Sequence, residues 1–151
     1  MTNSKLVVFR CDGGPKLGAG HVMRCLAMAE KLKSLGWECC FAVSTDTRLK
    51  PLDTSQFNQI ILSKTHTPED LGIKLGKRCA WLIIDHYDLD ASYEKSCRKW
   101  AHRICVFDDL ADRTHDCDIL IDFTPNRFPR QYQGLTPKNC QFLMGPKYAP
   151  L

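Results

Sequence analysis

Two groups of residues in this chain have types and spacing suited to chemistry. One is a histidine set in a glycine-rich loop, and the other is a series of acidic and aromatic residues at the ends of apolar runs. In FRCDGGPKLGAGHVMRCLAMAEKL an apolar run gives way to Gly18-Ala19-Gly20-His21, which opens directly into a helical pattern. That order makes an anion site: the first-turn N–H groups lack partners, the helix dipole is positive there, and Gly18 and Gly20 let backbone approach a ligand closely. The pattern is neither G-x-G-x-x-G nor a Walker loop, because His21 and Arg24 stand where those need glycine or lysine and hydroxyl. Redox and nucleoside-triphosphate chemistry lose weight accordingly. At a helix start the positive dipole end favours an uncharged imidazole, so His21 reads either as a base or as a simple helix cap.

Further along, LIIDHYDLD sets Asp85, His86 and Tyr87 where an apolar strand meets its loop, and VFDDLADR does the same with Asp108 and Asp109. Ligands of open parallel sheets sit beyond the carboxyl ends of the strands, so three loops point at one crevice. Asp85, His86, Asp88 and Asp90 also admit a metal-site reading, but carboxylates after a strand commonly cap the next helix, and the metal-free reading is preferred. His115, Asp116, Cys117 and Asp118 read as a turn with aspartates at its corners. His66 and His102 are isolated, and Trp37, Trp81 and Trp100 lie at element edges, where they pack.

The elements that must position these residues are short and regular. Apolar runs rich in Val, Ile, Leu and Phe predict strands at 5 to 11, 39 to 44, 59 to 63, 81 to 87, 103 to 109 and 118 to 123. Helical stretches separate them, the alternation of a parallel sheet covered on both faces. Between His21 and Leu35, Val22, Cys25, Leu26, Ala29, Leu32 and Leu35 recur at helical spacing and Gly36 supplies a stop. TPEDLGIKLGK predicts a second helix capped by Thr67, weakened by Gly72 and Gly76, and ASYEKSCRKWA a third capped by Asp90. The stretch from Thr124 to Asn139, with Pro125, Pro129, Pro137 and Gly134, reads as an ordered connection.

Composition bounds the rest. With 151 residues, 44% of them hydrophobic and 25% charged, the chain has length for one core, and 1 to 151 is read as one domain. The net charge of +4 comes from scattered Lys and Arg, which suits a small anionic ligand and not nucleic acid. No signal-like start and no run approaching roughly 20 apolar residues is present, so a cytoplasmic protein without a membrane partner is expected. The nine cysteines are odd in number and form no C-x-x-C pair, which predicts reduced, buried thiols and neither a disulfide framework nor a zinc knuckle.

Taken together, FRCDGGPKLGAGHVMRCLAMAEKL, IIDHYDLD, FDDLADRTHDCDILID and MGPKYAPL resemble the UDP-2,4-diacetamido-2,4,6-trideoxy-β-L-altropyranose hydrolases of pseudaminic acid biosynthesis and a related family of spore-coat polysaccharide synthesis. The likeness runs from Leu6 almost to the end. It implies a Rossmann-like α/β domain, the amino-terminal half of a GT-B architecture, whose second domain binds most of the UDP and is absent from this chain. It also implies a catalytic His21 in the G-x-G-H motif and Tyr87 beside the sugar and its attacking water. Asp12, Gly18, Gly20, Arg24, Asp85, His86 and Asp109 are the expected substrate-binding and supporting residues. The implied reaction is hydrolysis of the anomeric C–O bond of a UDP-linked sugar with inversion, with no metal ion and no cofactor. His21 either takes the proton from water or neutralises the leaving phosphate. Gly13, Gly14 and Pro15 depart from the family, which often has small polar residues there. Without the second domain the chain is expected to be close to inactive. The competing readings are a GT-B glycosyltransferase half, which would pass the sugar to an acceptor, and a non-catalytic sugar-binding module.

Overall fold

A computed structural model describes residues 4–14, 18–47 and 57–150. Seven parallel strands form one sheet in the order β3-β2-β1-β4-β5-β6-β7: β1 (Leu6–Cys11), β2 (Glu38–Ser44), β3 (Asn58–Leu62), β4 (Cys79–Asp85), β5 (Ala101–Phe107), β6 (Ile119–Asp122) and β7 (Gln141–Met144). The order reverses at β1. The chain moves outward from it through β2 and β3, then crosses back to lay β4 on its other side. This is the Rossmann-like arrangement, and it opens a crevice between the carboxyl ends of β1 and β4, because the loops leaving those two strands diverge.

Alternation along each strand divides the core. Leu6, Val8, Leu82, Ile84 and Ile104 face one side, where helices α2 (Pro68–Leu75) and α3 (Ala91–Cys97) pack through Leu71, Cys97 and the neighbouring Trp100. Val7, Phe9, Ile83, Cys105 and Phe107 face the other, covered by α1 (Gly20–Ser34) through Val22, Cys25, Leu26 and Ala29. The predicted caps form: Thr67 and Asp70 make a reciprocal capping box on α2, and Asp90 accepts from the Ser92 N–H at the start of α3. Gly72 has a packing reason to be glycine, since a Cβ there would lie 2.6 Å from Trp100 Cδ1. All nine cysteines are buried free thiols. Burial pushes the Cys39 and Cys40 thiols up to about 11 and those of Cys79 and Cys105 to about 12, so they remain protonated and pack as hydrophobes.

Three expectations need correction. The strands predicted at 81 to 87 and 103 to 109 end two residues earlier, at Asp85 and Phe107. Side chains take over the backbone donors there: His86 Nδ1 accepts from the Asp88 N–H, and Asp108 accepts from the Leu110 and Ala111 N–H groups, so the chain turns and stops pairing. β7 was not predicted, because QFLM is only four residues long and sits at the sheet edge. The 124 to 139 connection is ordered as expected, yet it carries a 3-10 turn at Pro129–Tyr132 that buries Tyr132 in the core. Among the described residues no helix is long and apolar enough to cross a membrane.

Candidate active site

The site is built where β1, α1, β4 and β5 converge. β1 delivers Asp12 just past its end, and the glycine loop then folds on itself, with Gly14 and Gly18 exchanging N–H···O bonds at 3.1 and 2.8 Å. Close packing favours glycine at Gly13, where a Cβ would lie 3.0 Å from the Gly18 carbonyl oxygen and 3.1 Å from Val22 Cγ2. Gly18 and Gly20 instead border open space, and Gly18 has a φ of +74°. Pro15 lies outside the described residues. Helix α1 begins behind Ala19, which supplies no side-chain cap, and its first turn holds no acidic residue. Its first amides are thus not neutralised by side chains, as an anion-friendly helix start requires.

His21 and Arg24, three residues apart on α1, both turn to the end of β4. Arg24 grips Asp85 with two donors, Nε to Oδ2 at 2.8 Å and Nη2 to Oδ1 at 2.7 Å. His21 Nδ1 is in hydrogen-bond contact with Asp85 Oδ1. Arg24 Nη2 also lies 3.0 Å from this Nδ1, but a guanidinium only donates and here has the carboxylate as its acceptor. The Asp85 carboxylate, 1% exposed, therefore accepts from both sides, which assigns the His21 proton to Nδ1. Among the described residues no hydrogen bond engages Nε2, and its lone pair is left for another partner. This is the logic of a histidine oriented by a buried aspartate.

Asp12 and His86 are more fully committed. Asp12 Oδ1 accepts from the Ser44 N–H at 2.7 Å and from Thr47 at 2.9 Å, while Oδ2 accepts from Arg10 and His86, each at 2.9 Å. Burial alone would raise the Asp12 pKa, but the bonds from His86, Arg10 and Ser44 outweigh it and hold the carboxyl well below the usual carboxylate range. His86 accepts at Nδ1 from the Asp88 N–H at 3.1 Å, so Nε2 is its donor to Asp12. Both ring nitrogens are occupied, and His86 fastens the β4 loop to the end of β1.

Tyr87 is 39% exposed and stands edge-on to His21, with ring centroids 4.7 Å apart at 84°. Its hydroxyl donates to Asp109 Oδ2 at 3.1 Å. Burial, and then the bond to Asp109, raises the Tyr87 pKa and keeps the phenol protonated. Asp109 Oδ1 is buried and has no hydrogen-bond partner among the described residues. Asp12, His21, His86, Tyr87 and Asp88 line a small cleft of about 180 Å³ counting the space at its mouth. A larger trough of about 490 Å³ lies along α1 and the sheet, among Val7, Leu32, Trp81, Ile119 and Leu143. Its lining is apolar, whereas the smaller cleft gathers ionisable side chains.

Asp88 lines the cleft and Asp90 caps α3, so the four residues with a metal-site reading each serve a different contact. One cluster was read differently from sequence. His115, expected in a turn with aspartates at its corners, is buried between Glu94 Oε2 at 2.9 Å and Asp108 Oδ2 at 3.2 Å. Burial lowers its pKa, but the bonds to Asp108 and Glu94 dominate and raise it to about 9. The same setting lowers Asp108 to about 2, the His115 and Leu110 hydrogen bonds prevailing over burial. Glu94, Asp108 and His115 thus form a buried cluster, joined by the half-buried Arg113, that spacing alone did not announce, since Glu94 looks like an ordinary helix residue.

The Rossmann-like α/β domain brings a histidine, an aspartate and an arginine together at its topological switch point, the place where open parallel sheets bind their ligands. No protein-family model matches the chain. It is 29% identical over 149 residues to the UDP-2,4-diacetamido-2,4,6-trideoxy-β-L-altropyranose hydrolase of Campylobacter jejuni. The match covers 95% of this chain and 50% of the relative, so the chain spans about half the length of the curated protein it matches.

Proposed function

We propose that this chain is the catalytic amino-terminal domain of a UDP-sugar hydrolase acting on a 2,4-diacetamido-2,4,6-trideoxy sugar. The carrying observation is His21, tied to Asp85 through Nδ1 and leaving Nε2 free beside Tyr87 in the switch-point cleft. In this reading Nε2 takes a proton from water as the water oxygen bonds to the anomeric carbon. The bond from that carbon to the diphosphate oxygen breaks, and its electron pair leaves with UDP. Tyr87 orients the water and sugar through its hydroxyl and exposed ring face. Gly18, Gly20 and the open start of α1 face the charge that develops on the leaving group. Arg24, Asp85 and Asp109 hold His21 and Tyr87 in place, while Asp12 and His86 fasten the loops around the sugar. No step uses a metal or cofactor.

A second domain supplies most of the uridine and diphosphate contacts, a reading supported by the half-length match. The isolated 151 residues are therefore expected to turn over little beside the full-length enzyme. Incubation of the full-length enzyme with the UDP-sugar in H₂¹⁸O should release UDP, place the label on the sugar and invert the anomeric centre. Label in UDP, or a sugar conjugate formed with an added acceptor in place of free sugar, would overturn the reading. So would efficient UDP release by the isolated chain.

A further inference from the structure

We propose that Arg113 is a positioning residue that sets Tyr87 against His21 by clamping both ends of the loop that carries Tyr87. Arg113 Nη2 donates to the His86 carbonyl oxygen and Nε to the Leu89 carbonyl oxygen, each at 2.9 Å, so the guanidinium spans the backbone on either side of Tyr87. A planar fork with fixed donor directions holds the two carbonyls in a defined relative geometry. The arginine is itself held from behind: Nη1 donates to Asp108 Oδ1 at 3.1 Å, Asp108 Oδ2 meets His115, and His115 meets Glu94 on α3. The side chains of Asp108, His115 and Glu94 are fully buried, and that of Arg113 is 15% exposed. The chain of contacts therefore rests on the core and not on solvent.

Two further features show that the segment is shaped to bring Arg113 to this place. Ala111 adopts a φ of +51°, which a residue with a Cβ takes only when its surroundings impose it, and its N–H is held by Asp108 Oδ2 at 3.3 Å. The Thr114 carbonyl, next along, accepts from the Ala91 N–H at 2.9 Å and ties the segment to the start of α3. Tyr87 is thus fixed at two points. Its backbone is held through Arg113 and its hydroxyl through Asp109, although 39% of the residue is exposed. A ring that is 39% exposed and stands edge-on to a histidine gains its fixed position from such a brace.

The inference rests on the proposed hydrolase reading for its consequence in turnover, but its geometric content can be tested without it. Arg113→Lys keeps a positive charge beside Asp108 and removes the fork. Should it not fold, Arg113→Gln retains one donor group for the same test. Aromatic NMR of the 151-residue chain should show the Tyr87 ring signals moving toward free-tyrosine values, while methyl signals of Val8, Leu82 and Ile104 in the core stay in place. Unmoved Tyr87 signals would overturn the proposal, as would core methyl signals that shift with them, which would make Arg113 a general support of the fold. In the full-length enzyme a Tyr87 displaced on the scale of 1 Å should lower kcat by about 100-fold with KM within a factor of about three. Unchanged kcat alongside moved Tyr87 signals would overturn the functional half. A wild-type enzyme that fails to release UDP would instead remove the hydrolase reading and leave the NMR result to judge Arg113.

Discussion

Replacing Asp85 with asparagine tests the orientation of His21 most directly. The side chain keeps its size, so the 1%-exposed site stays filled, but one of two acceptors becomes a donor. Arg24 presents two donors to Asp85, at 2.8 and 2.7 Å, and will claim the remaining carbonyl oxygen. The amide NH₂ is then left facing His21 Nδ1, which can only answer as an acceptor, and the ring proton moves to Nε2. The base lone pair is removed from the cleft with little change in shape. In the chymotrypsin triad the equivalent aspartate-to-asparagine change lowers kcat by about 10⁴ through the wrong tautomer. At 1.36 kcal/mol per factor of ten, a loss here of about 10³ to 10⁴ corresponds to about 4 to 5.5 kcal/mol of transition-state stabilisation. Loss of the charge-assisted bonds should also cost the fold about 1.5 to 3 kcal/mol. UDP release at saturating substrate by the full-length enzyme reads the first number, and urea unfolding reads the second. Ring ¹⁵N shifts of His21 report the tautomer independently of activity. A wild-type His21 protonated at Nε2, or an Asp85→Asn enzyme within tenfold of wild type, would refute the reasoning.

Two other predictions concern the scaffold. Gly72→Ala puts a methyl group 2.6 Å from Trp100 Cδ1 and 2.9 Å from Nε1, and Trp100 Nε1 donates to the Pro68 carbonyl oxygen at 3.0 Å. Overpacking should outweigh the better helix propensity and cost about 1 to 3 kcal/mol, with altered Trp100 fluorescence; a more stable variant would contradict the packing described. His115 has a native pKa raised to about 9 from an ordinary value near 6.5. A raised value means the native state holds the proton more tightly than the unfolded chain. The contribution, on the order of 3 kcal/mol, is complete below about pH 6.5 and is lost as the pH rises through about 9. The His115 ring signals should titrate near pH 9, and unfolding free energy should fall between pH 6.5 and 9. A His115 midpoint at or below 7 would contradict this.

Much of the fold was legible because a doubly covered parallel sheet writes itself in continuous apolar strands, and α1 in a regular apolar stripe. Strand ends were less legible. Whether Asp108 continues a strand or turns it depends on which N–H its carboxylate finds, and only the folded loop decides that.

The sequence by itself determined the order of elements, the glycine loop leading to His21 at a helix start, and the acidic strand ends, because these depend on local spacing and propensity. The strand order, and with it the switch point between β1 and β4, came from tertiary structure, since parallel pairing joins residues far apart in the chain. So did the tautomer of His21, which depends on an aspartate 64 residues away. The burial of Glu94, Asp108 and His115 in one cluster with Arg113 at its edge belongs to the same class. Charged residues read as surface in a sequence, and only partners brought together by folding can offset the cost of removing them from water.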